Sequence, residues 1–143
     1  MSEDRSGPFW DVIEGRLPAP PAAQLLGWKA LDVDPMAGTI RVQFEATKQL
    51  LNFAGTVQGG ILSAMLDATM GPAAVAVLGG AQLIQSLELK VSFIRPGQLG
   101  LIFGEGRVLY RGQDILFLEG ALKNPEGKLI ATATSTVRVS RKV

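Results

Sequence analysis

Gln58-Gly-Gly-Ile-Leu-Ser-Ala-Met-Leu-Asp67-Ala-Thr-Met-Gly-Pro-Ala-Ala-Val-Ala-Val-Leu78 is the stretch from which the rest of the chain is best read. It is rich in Ala, Leu, Met and Val, long enough to be the main helix, and apolar on nearly every side. That pattern belongs to a helix enclosed by other elements rather than laid on a surface. Gly71-Pro72 predicts a kink, because proline lacks a backbone donor and its ring crowds the preceding turn. Gly79-Gly80 predicts the stop. Across residues 49–87 the only charged side chain is Asp67.

Strand patterns flank this helix. Residues 28–33 and 39–46 read as strands; in the second, Ile40, Val42, Phe44 and Ala46 alternate with Arg41, Gln43, Glu45 and Thr47. Further strands are predicted at 82–94, 101–110, 115–122 and 129–139, with turn residues between them at 96–97, 111–112 and 124–127. Gly104-Glu-Gly106 predicts a bulge. Residues 8–27 form a preamble of two short helices, the first with Phe9 and Ile13 on one face, the second starting at Pro21 and stopping at Gly27. The expectation is an α+β domain over residues 1–143, with an N-terminal helical preamble over 1–27. A curved antiparallel meander would wrap the long helix.

Composition excludes whole classes of chemistry. The 143 residues hold 14 Lys+Arg against 13 Asp+Glu, a net charge of +1 that gives no electrostatic footprint for nucleic acid. Cys is absent, so there is no disulfide, thiolate nucleophile or Cys-ligated metal; His is absent, so there is no imidazole base or HExxH zinc site. No metal and no cofactor are expected. Charged residues are 19%, below the roughly 25% of an average soluble domain, which predicts that some surface is hidden between subunits. Residues 1–8 lack a secretory pattern, and the apolar tract is interrupted by Ser63, Asp67, Gly71 and Pro72, so the expected location is cytoplasmic, without a membrane partner.

The lone carboxylate points to catalysis. Gly60, Ser63, Asp67 and Gly71 recur at helical spacing and make one stripe of small and polar residues. Asp67 is too far into the helix to cap it, and no cation in the stretch can pair with it. A carboxylate drawn out of water holds a proton more readily, which makes it a better base near neutral pH. At the helix start, Gly59-Gly60 allows close backbone approach, and the first N–H groups of any helix have no internal partner. Aimed at a carbonyl, they form an oxyanion site with the helix dipole behind them.

Asn52-Phe-Ala-Gly-Thr-Val-Gln58-Gly-Gly-Ile-Leu-Ser-Ala-Met-Leu-Asp67 resembles the signature of the hotdog-fold thioesterases of the phenylacetate-degradation (PaaI-like) group. Members of that group carry Asn, then His-Gly-Gly six residues on, then Asp nine residues after the His. Ser86-Leu-Glu-Leu-Lys-Val-Ser-Phe-Ile-Arg-Pro96 is similar to the strand that follows in that family, and the likeness extends over about residues 17–139. The resemblance implies a sheet wrapped around a long helix, pairing into homodimers by sheet extension and often into homotetramers, with acyl-CoA hydrolysed between subunits. It implies catalytic roles for Asp67, as general base or nucleophile, for Gly59 as the carbonyl-polarising amide, and for Ser86 and Asn52, with Asn52 steering the substrate or the helix-start loop. Gln58 occupies the His position; an amide can orient a substrate but cannot shuttle a proton.

Gln58, Gly60, Phe53, Ser63 and Arg95 are the expected substrate contacts. Arg95 is the first choice for a coenzyme A phosphate among Lys90, Arg95, Arg107 and Arg111. Coenzyme A would enter as part of the substrate. Trp10, Trp28 and Phe53 could each line an acyl pocket, but core packing is expected for Trp28 and Phe53 is the preferred substrate contact. Two other functions compete. A hotdog dehydratase would need a His that this chain lacks, and a slow or non-catalytic acyl-CoA binder is the reading that Gln58 favours.

Overall fold

The computed structural model describes residues 5–140. Two short helices open it, α1 (Pro8–Ile13) and α2 (Pro21–Leu25), each with proline in its first turn. Strands β1 (Lys29–Asp34) and β2 (Thr39–Ala46) follow, then a 3-10 turn at Lys48–Leu50 and the long helix α3 (Gly59–Val77). Four strands complete the chain: β3 (Ile84–Phe93), β4 (Gly100–Arg111), β5 (Ile115–Lys123) and β6 (Leu129–Val139).

The six strands form one antiparallel sheet in the order β1-β2-β4-β5-β6-β3. Only β4, β5 and β6 make the expected meander. The difference lies in α3, which crosses the sheet and carries the chain from the β2 side to the opposite edge, where β3 pairs with β6. The alternation read from β2 holds: Ile40, Val42, Phe44 and Ala46 are buried. They pack with Leu118, Leu122 and Val137 of the sheet against Leu62, Met65, Leu66 and Met70 of the helix.

Glycines on the inner face let the helix lie close. A Cβ on Gly104 would stand 2.3 Å from Thr69 Oγ1, and one on Gly120 would stand 2.8 Å from Met70 Cγ. The expected bulge at Gly104–Gly106 is therefore not there. Both residues pair in register, opposite Val42 and Ile40, and the irregularity falls between Val108 and Tyr110. These glycines are small because the helix rests on them.

The predicted kink at Pro72 is not seen as a break, since α3 runs through it from Gly59 to Val77. Proline removes the N–H that would have bonded the carbonyl of Ala68. The Trp28 indole Nε1–H donates to that carbonyl instead, at 2.9 Å. Helix α3 is also not enclosed on all sides. The sheet covers one flank, while Gly60 and Ala64 are exposed and Ser63, Asp67, Ala68 and Gly71 are only half-buried.

Gly104→Ala should lower the free energy of unfolding by about 1–3 kcal/mol, because the added methyl displaces Thr69 and the helix above it. Urea denaturation would measure it; unchanged stability would show that the helix does not depend on this close approach.

Candidate active site

The loop before α3 is folded by Asn52. Its Oδ1 accepts the amides of Ala54 (2.9 Å) and Thr56 (3.2 Å), and its Nδ2 donates to Thr56 Oγ1 at 3.1 Å. Of the two roles open to Asn52, its side-chain bonds serve the loop. The next two amides are also engaged, Val57 N–H with the Gly97 carbonyl (2.9 Å) and Gln58 N–H with the Leu50 carbonyl (3.0 Å). Gly59 and Gly60 come next, and their amides have no partner among the described residues, nor does any side chain cap the helix. The positive end of a helix of 19 residues is thus presented by two bare N–H groups.

Neither glycine is demanded by the fold. Both have helical backbone. A Cβ on Gly59 would make an ordinary 3.4 Å contact with the Phe93 ring, and one on Gly60 would meet only Gln58 Oε1 at 3.7 Å. Their lack of side chains leaves room on the open side.

Two turns further along the helix, Asp67 Oδ1 accepts the Ser86 hydroxyl at 2.8 Å. This joins two of the residues picked out in the sequence, from α3 and β3. Asp67 is half-buried rather than sequestered, and it forms no ion pair among the described residues. Ser86 reaches it through a bulge. Leu89 and Val91 lie opposite the buried Ser135 and Ala133, so strict alternation would turn Ser86 to the other face of the sheet. The irregularity between Ser86 and Glu88 shifts the register by one and places Ser86 opposite buried Val137, facing the helix.

The other expected contacts fall in different places. Ser63 Oγ donates to the Gly59 carbonyl at 3.1 Å and so serves its own helix. Gln58 is exposed, and its side-chain amide has no partner among the described residues. Phe53 stands fully exposed at the loop tip. Arg95 is exposed and ties one guanidinium nitrogen to the Leu129 carbonyl at 2.7 Å. Arg107 pairs with Glu119 and Arg111 bonds the Val77 carbonyl at the end of α3, while Lys90 lies on the outer face of the sheet. Trp10 is buried, its indole N–H on the Gly79 carbonyl.

Phe93 was named in the sequence only as part of a strand pattern, yet its ring is the one that lies against Gly59. The signal was present: it shares the inward parity of Leu89 and Val91. Among the described residues no group of acidic or other ligating side chains could hold a metal.

Comparison with known proteins agrees with this architecture. The family model of the thioesterase superfamily matches residues 54–131, more than half of the chain. An inferred esterase of Saccharolobus solfataricus is 30% identical over 117 residues, spanning 80% of this chain and 83% of that protein. The crystal structure of an inferred thioesterase related to phenylacetic acid degradation, from Ralstonia eutropha JMP134, is 39% identical. It superposes with a TM-score of 0.86 and covers 92% of this chain and 98% of that one. A protein of Streptococcus mutans UA159, solved with acetyl-CoA bound, is 21% identical with a TM-score of 0.72, covering 80% and 90% of the two chains. The long helix laid on a six-stranded antiparallel sheet is the hotdog fold, and the chain belongs to the thioesterase superfamily, in its phenylacetate-degradation (PaaI-like) group.

Proposed function

We propose that the protein is an acyl-CoA thioesterase whose active site is shared by two copies of the chain. The observation that carries this reading is the placement of two half-sites on one uncovered helix face. Bare Gly59 and Gly60 amides lie at its start, and the Asp67–Ser86 pair lies further along. Within one chain they cannot act on the same carbonyl, because eight residues of helix separate Gly59 from Asp67 by about 12 Å. Two α3 helices packed antiparallel and crossing near Ser63 would bring the Gly59 of each to the Asp67 of the other. Exposed Gly60 and Ala64 permit that approach. The free edge of β3, ten residues long, would pair with its copy and continue the sheet. A homodimer is the minimal unit in this reading, and dimers pairing into a tetramer would cover more of the apolar surface.

In such a site the Gly59 amide of one subunit polarises the thioester carbonyl and takes up the charge that develops on its oxygen. Asp67 of the other subunit removes a proton from water as the water oxygen adds to the carbonyl carbon. The C–S bond then breaks; the coenzyme A thiolate leaves, and the proton returns to it or to solvent, giving the free acid. Ser86 holds the Asp67 carboxylate in position through its hydroxyl. Gln58 orients the substrate beside the amides, and Phe53 contacts it from the loop. Arg95, two residues after the Phe93 whose ring lies against Gly59, would offer its exposed guanidinium to the coenzyme A phosphates. Acetyl-CoA in the Streptococcus mutans relative supports coenzyme A as the carrier.

Two variants test the shared site. Asp67→Asn removes the base. Gly59→Pro removes one amide donor while suiting the first position of a helix, after a Gln58 that already has extended backbone (φ −58°, ψ 140°). Each should lower kcat by about 100-fold or more, whereas Gly59→Ala, which keeps the N–H, should lose far less. Co-refolding the two inactive proteins should restore about a quarter of the wild-type rate, since half of the dimers are mixed and each has one intact site. No recovery, despite mixed dimers, would reject a site spanning two chains. Wild-type turnover in Asp67→Asn would reject the assignment altogether, and tight acyl-CoA binding with no thiol release would favour a non-catalytic binder.

Ser86→Ala should reduce kcat about ten- to a hundredfold, the effect of one hydrogen bond to a charged group, with little change in KM. A steady-state assay on a competent acyl-CoA measures it.

A further inference from the structure

Resting on the thioesterase reading, we propose that Trp28 is a positioning residue for Asp67. Its indole N–H replaces the hydrogen bond that Pro72 removes from the turn of α3 carrying the carboxylate. Turnover therefore depends on the indole only while residue 72 is proline.

The turn that begins at Asp67 is the least restrained in α3. Regular helix bonding runs from residue 71 to the Asp67 carbonyl and from residue 72 to the Ala68 carbonyl. Residue 71 is glycine, which holds a helix interior poorly; residue 72 is proline, which lacks the N–H and crowds the carbonyl it fails to bond. Beyond Gly60, α3 has no other glycine and no other proline. Both helix-weakening residues thus fall in the one turn that carries its only charged side chain.

The missing donor arrives from a distant part of the chain. Trp28 Nε1 lies 2.9 Å from the Ala68 carbonyl oxygen. The corner that delivers Trp28 is itself fixed on the sheet. The Leu26 carbonyl accepts the Glu45 amide of β2 at 3.1 Å, and the Trp28 amide donates to the Ala23 carbonyl at 3.0 Å. Between them Gly27 takes a left-handed φ of 65°, and a Cβ there would stand 2.8 Å from the Glu45 backbone nitrogen. The corner is seated on β2, so the indole reaches α3 from a rigid base.

Asp67 then has two anchors. Ser86 bonds its carboxylate at 2.8 Å, and Trp28 bonds the backbone of the next residue. Without the indole N–H, the half-buried Ala68 carbonyl has no donor and turns toward water, and the carboxylate beside it turns with it. A base displaced by about an ångström can cost a hundredfold in rate without loosening the grip on substrate.

Trp28→Phe, Pro72→Ala and the double variant separate this role from packing. In Pro72→Ala the helix regains the amide that bonds Ala68, so the indole becomes dispensable. On a competent acyl-CoA, kcat should fall about ten- to a hundredfold in Trp28→Phe with KM little changed, and stay near wild type in Pro72→Ala. The double variant should recover to within about threefold of wild type. A ring that only filled space or touched the substrate would leave the double variant as slow as Trp28→Phe. That result would overturn the proposal, as would wild-type kcat in Trp28→Phe. If Trp28→Phe does not fold, Trp28→benzothienylalanine, which keeps the bicyclic ring and puts sulfur where the N–H was, replaces it with the same expectations.

The Cγ carbon resonance of Asp67, identified by its loss in Asp67→Asn, needs no turnover. It should move in Trp28→Phe toward its position in Ser86→Ala and return in the double variant; a resonance unmoved by Trp28→Phe would overturn the proposal. No thiol release by wild type from any acyl-CoA, with the resonance moving and returning as expected, would instead overturn the thioesterase reading and leave the positioning role standing.

Discussion

The central helix is covered on one side only. Its buried flank rests on a sheet whose glycines at 104, 106 and 120 bring the two backbones together around Thr69 and Met70. Its other flank carries Gly60, Ala64, Asp67 and Gly71, where no element of the same chain packs closely enough to bury it. The Gly59 and Gly60 amides and the Asp67 carboxylate lie along that second flank. A helix seated this deeply holds Asp67 and the Gly59 amide in fixed directions, and rigidity of this kind is what preorganised electrostatics require.

The same rigidity keeps these two groups apart within one chain. Helix rise is constant, so eight residues separate Asp67 from the Gly59 amide by about 12 Å whatever the side chains do. The separation that looks like a defect in one chain becomes a fit in an antiparallel pair, with the crossing point midway at Ser63. An isologous interface of this kind generates two identical sites from one set of residues. The bare edge of β3 lies next to the helix face that the pairing would use, so backbone pairing and helix packing would act together.

Irregularities in the fold serve the site. Pro72 leaves the Ala68 carbonyl without its helical partner, and the Trp28 indole supplies the missing donor one residue away from Asp67. The bulge at Leu87 turns Ser86 toward the helix, where alternation would have turned it away. Asn52 spends its side chain on the turn that delivers the chain to Gly59. Each departure from regular structure lies within a few residues of a group with a proposed chemical role.

Much of this was legible in the sequence because it depends on local spacing. Period-two alternation defined β2, turn residues bounded β6, the apolar run defined α3, and the lone charge at 67, with Gly59-Gly60 eight and seven residues upstream, marked one face of the helix. Spacing says nothing about what comes together from distant parts of the chain. The placement of β3 at the far edge, the bond between Ser86 and Asp67, the seat made by Gly104 and Gly120, and the bond from Trp28 to the Ala68 carbonyl all arise from packing. Residue order alone determined which segments are helix and strand and which residues carry reactive groups. Only the tertiary structure decided which of those groups meet, because contacts between remote segments depend on the close packing of side chains, to which one bulge or one missing Cβ is decisive.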